Sequence, residues 1–462
     1  MNVLDKIKNI VINNPNLIAY QINNDSITYK ELLDKANYYS EYIKSYNNVI
    51  IYGDKSINYF ITILACLIAK RTYIPINKNT PINRIKKIIS ITDAELIITD
   101  DKLDIDDIYI CSLNNIEKKL KLNIDNNIAY IINTSGSTGI PKSVPISYDN
   151  LDNFIDWIST LYPLNTYKNK MVLNQAHFSF DLSVADTFYS LSNGHTLISI
   201  NDINNYKEVF KVIKEINIAF ITPTFMKLLL VNPDFNNSNY SNLECIYFCG
   251  ELLDINTVKK LFSRFPDIKI INAYGPSEAT SAVSAIIITE SMLDSKILPV
   301  GDMFNNACKI EIINNEIVLK GKSVFNGYLG NIIGGFYKEN NINCFKTGDI
   351  GYIENNLLYC MGRSDNQIKY KGYRIELSEI EYYLNSIKEV DNSCCIAIKD
   401  NDIVKSIKAF VEVNNSISDI EMKEKLNKLL PSYMIPKTIV ILDKLPINKN
   451  GKIDRMILND RY

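Results

Sequence analysis

The stretch from Tyr130 to Ser147, YIINTSGSTGIPKSVPIS, gathers residue types suited to holding an anion. An apolar run from about Ile128 to Ile132 leads into Thr134, Ser135, Gly136, Ser137, Thr138 and Gly139, followed by Pro141 and Lys142. Glycines let a backbone turn its N–H groups toward an anion, and hydroxyls and a lysine add donors. This is not a Walker A loop, because no Gly-Lys-Ser/Thr triplet opens a helix after four intervening residues. An isolated Ser/Gly run would read as a plain polar surface loop. Two hydroxyl–glycine steps closed by Pro-Lys, directly after a buried-type strand, favour a phosphate-cradling loop.

Other residues downstream carry chemistry. Asp181 stands among the apolar Phe178, Phe180, Leu182 and Val184. A carboxylate in such surroundings needs a partner, because an unpaired buried charge is costly. Two readings stay open for it: the N-cap of the helix that follows, or the partner of a ligand ammonium. Two apolar runs end in glycine-containing polar segments. Cys245–Phe248 ends in Cys249-Gly250-Glu251, and Ile268–Ile271 in Asn272-Ala273-Tyr274-Gly275-Pro276-Ser277-Glu278. Ligands of open α/β sheets bind outside the carboxyl ends of strands, where such segments lie. Tyr274 has a face on which a base can stack, and Glu278 a carboxylate that a metal can use. Taken alone, a core tyrosine and a surface acid are the plainer readings. Asp349 follows in FKTGD, and Gly362, Arg363, Asp365, Lys369, Lys371 and Gly372 crowd one short run. Lys452 sits on a glycine-initiated turn; alone it reads as a solvated lysine.

Composition narrows the class. At 462 residues the chain has room for about two to four domains. A hydrophobic fraction of 46% supports a large core, and a formal charge of −2 argues against a general nucleic-acid binder. The nine cysteines are scattered without a Cys-x-x-Cys pair, and there are two histidines, so a zinc site is not expected. Unframed cysteines suit a reducing cytosol, and a cytoplasmic location is the expectation. The amphipathic start MNVLDKIKNIVINN has no signal-peptide core, and the apolar run Tyr59–Ala69 is too short to span a bilayer.

These residues need elements to hold them. Helices are expected over 3–12, from Thr28 with Glu31 as a capping partner, around Phe60–Ala69, after Pro81, and from about Asn150 to Leu161. Strands are expected at 18–22, 49–52, 73–76, 94–99, 218–221, 245–248 and 268–271. Alternation of this kind points to an α/β class: a large layered N-terminal domain, mixed sheets packed with helices. Beyond Val300 short alternating strands at 309–313 and 316–320 suggest a small β subdomain. A boundary near Asp365 separates a domain of 1–364 from a small α+β unit of 365–462, with helices at 377–387 and 419–430 and strands near 393–398, 407–413 and 437–442.

Taken together and in order, these segments resemble the adenylate-forming superfamily of acyl-CoA synthetases, luciferases and peptide-synthetase adenylation domains. LIAKRTYIPINKNTPINRI matches a further core motif. FSFDLSVADTF, YFCGELL and NAYGPSEAT look most like D-alanine–D-alanyl carrier protein ligases and stand-alone adenylation domains. The resemblance implies an ATP-dependent ligase. An amino-acid carboxylate attacks the α-phosphate of ATP, and the aminoacyl adenylate is captured by the phosphopantetheine thiol of a carrier protein. It implies that Thr134, Ser135, Ser137, Thr138 and Lys142 hold the β/γ-phosphates and that Glu278 helps bind Mg²⁺. Tyr274 would stack on adenine, with Gly250, Glu251, Asn272, Ala273, Gly275, Pro276 and Ser277 around it. Asp349 would bind the ribose hydroxyls, with Arg363 and its neighbours Cys360, Met361 and Gly362 in support. Lys452 would bridge the attacking carboxylate and the α-phosphate from a mobile lid hinged at Asp365. For thioester formation the segment at Lys371 and Gly372 would replace it.

Asp181 matches the aspartate that pairs with a substrate α-ammonium, which makes a free amino acid the expected substrate. Cys249 matches a pocket cysteine of the D-alanine ligases. Ala185, Ser281 and Ala273 stand where those ligases tend to carry methionine, valine and threonine. Smaller side chains enlarge the pocket, and Ser281 adds a hydroxyl. Ser143 replaces a glycine, which a serine can do unless the backbone needs a positive φ. His177 and His195 read as packing or surface residues. The chain stops ten residues after Lys452 without a carrier segment; the expectation is a separate carrier partner.

Overall fold

A computed structural model describes residues 2–106, 108–117, 127–136, 139–330, 332–363, 367–400, 403–447 and 453–461. Contacts divide the chain into two units. One comprises Met1–Lys78, Thr92–Ile132 and Val144–Gly362; the other comprises Asn79–Ile91, Asn133–Ser143 and Arg363–Tyr462. The sequence reading kept all of 1–364 together. By contacts the loop Asn133–Ser143 and the segment 79–91 group with the C-terminal residues.

In the larger unit the main sheet runs, in spatial order among the described residues, Ser284–Ile287, Lys269–Tyr274, Cys245–Phe248, Ile218–Ile221, Met171–Asn174, Thr196–Ser199, Ile18–Ile22 and Asp25–Thr28. Its centre is parallel and its two edges antiparallel. Side chains alternate across it. Phe220, Tyr247, Cys249, Ile271 and Ala273 join one core, with the helix Leu182–Asn193; Ile221, Ile246, Phe248 and Ile270 join another. Period-two alternation with both faces covered is the signature of a buried sheet. One strand is longer than its apolar run. Lys269–Tyr274 carries Asn272, Ala273 and Tyr274 inside the sheet, because Tyr274 pairs with Ser284 of the antiparallel edge.

A second sheet has the order Tyr109–Cys111, Leu96–Ile98, Asn48–Tyr52, Thr72–Ile76, Ile128–Thr134 and Lys142–Ser147. The apolar helix Ile57–Ile68, buried from Tyr59 to Leu67, packs in the same core. The expected cap forms, Thr28 and Glu31 making a capping box; a second box, not expected, joins Ser147 and Asn150 at the helix Tyr148–Ile158, which starts two residues earlier than the sequence suggests. A third sheet, built from Gly301–Asp302, Lys309–Ile313, Glu316–Lys320, Phe336–Glu339, Ile342–Glu354 and Leu357–Arg363, is the expected β subdomain.

The smaller unit holds the hairpin Gln367–Tyr370/Tyr373–Glu376, the helices Leu377–Asn385 and Asp419–Asn427, and a sheet of Val390–Asp400, Ile403–Val413 and Thr438–Ile441. Ile375, Ile380, Leu384, Ala409 and Leu426 lie in its core. The first two strands of that sheet are longer than the sequence suggests, because they pair along nearly their whole length.

Candidate active site

The structure speaks against the cap reading of Asp181. The residue occupies the N-cap position of the helix Leu182–Asn193 but has helical backbone angles and makes no cap bond. Its carboxylate Oδ2 instead accepts a hydrogen bond from Ser277 Oγ. Asp181 stands at the start of a helix, and Ser277 three residues beyond the strand Lys269–Tyr274. Ser277 opens a short 3₁₀ turn after Gly275-Pro276, and Gly275 must be glycine because a Cβ there would lie 2.4 Å from the Ala282 Cα. Thr280 and Ser281 follow with φ of +65° and +68°. Such angles are strained for a β-branched residue and cluster at ligand sites. The Cys249 thiol donates to the Ser281 carbonyl at 3.9 Å.

Tyr274 and Asp349 are both buried, and the Tyr274 hydroxyl donates to Asp349 Oδ2 at 2.6 Å. Burial first, then the Asp349 charge, pushes the Tyr274 phenol well above its ordinary range. The bond fixes the ring and orients the carboxylate. Asp349 lies within the long strand Ile342–Glu354, where Gly348 takes a φ of +73° and its N–H donates to Glu316 Oε1 at 2.8 Å. Asn272 Nδ2 donates to the Pro299 carbonyl at 2.8 Å, and Glu251 Oε2 accepts from the Thr224 N–H at 2.9 Å, so both also brace neighbouring backbone. Gly250 has a φ of +93° and faces the Phe180 ring and Thr222. Glu278 is fully buried and accepts from the Tyr328 hydroxyl. Among the described residues no three His, Cys, Asp or Glu side chains group to cage a metal. One carboxylate suits Mg²⁺ arriving with a nucleotide, since that ion takes one or two protein carboxylates plus substrate phosphates.

In the smaller unit the phosphate loop already holds anions. Lys142 Nζ pairs with Glu376 Oε1 at 2.7 Å. Ser135 Oγ donates to the Arg374 carbonyl at 2.7 Å and accepts from the Glu376 N–H at 2.9 Å. The Gly136 N–H donates to Glu379 Oε2 at 3.0 Å, and Glu379 Oε1 takes Arg84 Nη1 at 2.5 Å. The loop's backbone N–H and its lysine thus bind carboxylates, the same donor chemistry a phosphate needs. These bonds tie 79–91 and 133–143 to the C-terminal residues. Thr134 Oγ1 lies 3.4 Å from the Lys142 carbonyl. Ser143 has no positive φ and donates to Asn133 Oδ1 at 2.7 Å, so nothing there requires glycine.

Lys371 and Gly372 form the two-residue tip of the hairpin, with φ of +53° and +83°, the primed turn that matches strand twist. Cys360, Met361, Gly362 and Arg363 end the strand Leu357–Arg363, with Met361 exposed and Gly362 at a φ of +121°. Ser137, Thr138, Asp365 and Lys452 lie outside the described residues. Sequence reasoning missed Glu376, Glu379, Arg84 and Tyr328. The first two stand in the run YRIELSEIE at 373–381, where their charge is visible but their partners, far away in the chain, are not.

Comparison with known proteins bears on this geometry. Residues 9–329 match the AMP-binding enzyme family, and residues 379–452 match the AMP-binding enzyme C-terminal domain. The chain belongs to the AMP-binding enzyme family. It is 34% identical to the D-alanine–D-alanyl carrier protein ligase of Bacillus licheniformis, over 100% of this chain and 99% of that protein. This AMP-forming ligase also shares its fold with solved structures. The Vibrio cholerae adenylation domain AlmE, in complex with glycyl-adenosine-5′-phosphate, superposes with a TM-score of 0.85 at 23% identity, covering 99% of this chain and 97% of that one. A holo NRPS protein containing adenylation and PCP domains gives 0.83 at 20% identity, covering 100% and 84%. Adenylate-forming ligases of this kind use ATP.

Proposed function

We propose that this ligase activates a small amino acid as its aminoacyl adenylate and passes the acyl group to the phosphopantetheine thiol of a carrier protein. The observation that carries the reading is the Asp181 carboxylate, held by Ser277 rather than spent on a helix cap. A carboxylate so placed, among Phe178, Leu182 and Val184, can pair with a substrate ammonium. Plain fatty or aromatic acids have none to offer. The relatives support the reading, since those at 34% identity are ligases that load D-alanine on a carrier.

In the first step a carboxylate oxygen of the amino acid attacks the α-phosphorus of ATP and pyrophosphate leaves. Such chemistry asks mainly for positioning and charge stabilisation. Thr134, Ser135, Ser137, Thr138 and Lys142 hold the outer phosphates. Tyr274 stacks on the base, and Asp349, braced by the Tyr274 hydroxyl, accepts from the ribose. Arg363 supports the ribose. Glu278 would hold Mg²⁺, which neutralises phosphate charge when bound. Lys452 bridges the two reacting groups from a lid of about 365–462. In the second step the carrier thiol attacks the acyl carbonyl and AMP leaves, with the turn at Lys371 and Gly372 facing the site after the lid swings about Asp365.

A second reading, an adenylation enzyme of a peptide pathway loading another amino acid, is favoured by Ala185, Ala273 and Ser281, which are small or polar where the D-alanine ligases carry bulk. Amino-acid-dependent ATP–pyrophosphate exchange over a full panel, both alanine enantiomers included, separates the two. A Lys452→Ala enzyme is expected to lose exchange yet still form thioester from supplied adenylate. Equal loss of both half-reactions would refute the assigned role of Lys452.

A further inference from the structure

Three buried hydroxyls close to the amino-acid site find no hydrogen-bond partner among the described residues: Ser281 Oγ, Tyr247 Oη and Tyr130 Oη. An unsatisfied buried polar group costs free energy, so one in a native structure asks for an explanation. Contacts link Tyr247 and Ser281 through Cys249, and both tyrosines feel the charge of Asp181. Tyr247 and Cys249 lie two residues apart on the same face of the strand end, in the same core as Tyr130 and Ala273. Cys249 in turn reaches the Ser281 carbonyl. Electrostatics agree: after burial, the Asp181 charge pushes up both tyrosines, and the Cys249 thiol pushes up Tyr247.

Short side chains share this core. Ala185, Ala273 and Ala282 are buried in the same core, and none extends beyond a methyl group. Ser281 is held in its left-handed conformation by its neighbours: the Ala282 N–H donates to the Thr280 carbonyl at 2.8 Å, and Thr280 Oγ1 to the Ser323 carbonyl at 3.0 Å. The backbone that carries the Ser281 hydroxyl is therefore held in place.

We propose that this pocket selects a small amino acid carrying a side-chain hydroxyl, serine being the simplest, with Tyr247 and Ser281 as the specificity-determining residues. The inference rests on the amino-acid activation proposed above. A side-chain hydroxyl offers one donor and two acceptor sites, enough to satisfy one of these hydroxyls as donor and another as acceptor. Alanine would leave both unpaired. A site built to bond a hydroxyl rejects the analogue without it far more strongly than an apolar pocket rejects a missing methylene. An ordered water could satisfy the same atoms instead; the pocket would then discriminate little.

The test compares serine with 2-aminobutyrate, which has a methyl where serine has its hydroxyl, and with alanine, in both configurations, by ATP–pyrophosphate exchange. Serine of one configuration is expected to exceed its matched aminobutyrate and alanine by about 100-fold or more in kcat/KM. Tyr247→Phe and Ser281→Ala should each shrink the serine-to-aminobutyrate ratio by about tenfold or more, mainly through KM. Calorimetric binding of the non-hydrolysable seryl and aminobutyryl sulfamoyl-adenosines to the unaltered enzyme gives the same ratio without turnover, and without relying on the variants' folding. Alanine or aminobutyrate matching serine overturns the hydroxyl pocket while leaving activation intact. No exchange with any amino acid overturns activation itself, and this inference with it.

Discussion

Asp181 shows how little a residue's identity says until its partner is known. Its spacing fits a cap, and its angles and its bond to Ser277 exclude one. Asp181→Asn keeps the shape and removes the charge. It is expected to raise the KM for the amino acid about 10- to 100-fold, the worth of a charge-assisted bond, with a far smaller change in the KM for ATP. Steady-state exchange with each substrate varied in turn would check this; equal effects on both would remove the ammonium role. Tyr274 teaches a complementary lesson. Its aromatic face can be read from its identity alone. Its hydroxyl bond to Asp349, 75 positions away, cannot. Ser143, a departure from the family loop, turns out to be accommodated by a bond to Asn133.

At the scale of elements, the phosphate loop and the hairpin Gln367–Tyr370/Tyr373–Glu376 are the telling pair. Glu376 occupies Lys142, as a phosphate would. ATP must displace it if Lys142 is to hold phosphates. Glu376→Gln is therefore expected to lower the KM for ATP about three- to tenfold, in line with a partly buried ion pair worth about 1 kcal/mol; an unchanged or raised KM would mean that the pair does not compete. Elements also stand on their ends. The Ser147 side chain accepts from the Asn150 N–H in a buried capping box. Ser147→Ala should cost about 1–2 kcal/mol, seen as a lower urea midpoint at unchanged slope. The motif reads directly from a serine three residues before a side chain that can bond back. Most elements were legible, though the strands Tyr109–Cys111 and Thr196–Ser199 and the helices Tyr206–Ile213 and Ile255–Arg264 were not; strand ends were not legible either, because pairing partners set where a strand stops, as at Tyr274 and Val390.

At the scale of the whole molecule, buried polar groups bind the layers of the larger unit. Lys55 is buried and donates to the carbonyls of Asn174, Gln175 and Ile200 at 3.1, 3.1 and 2.9 Å, so a residue just beyond one sheet's strand grips the other sheet. Burial pulls its ammonium down to about 7, with Asp186 acting against that. His195 is buried, and its Nδ1 accepts from the Lys170 N–H. Burial, then Lys168 and Lys170, lowers it from 6.5 to about 4. Between those two values the unfolded chain binds a proton that the folded chain refuses, so stability falls as pH falls through this window. The loss is at most about 3 kcal/mol from this residue, and His177, lowered to about 4 by burial and Lys55, acts in the same direction. Urea unfolding across pH 7 to 4 should show the decline, and His195→Gln should flatten part of it. An identical slope in the variant would place the acid sensitivity elsewhere.

The sequence by itself determined the layered α/β class, most of its elements and the family, because periodicity, caps and motif spacing are local and act through near neighbours. Only the tertiary structure decided what each charged or hydroxylated side chain touches. Asp181 meets Ser277, Lys142 meets Glu376, Glu278 meets Tyr328, and Tyr247 and Ser281 find no partner in the described fold. A hydrogen bond or an ion pair is a matter of a few ångströms in space, and positions far apart in a chain acquire that proximity only when the sheets and loops between them have packed.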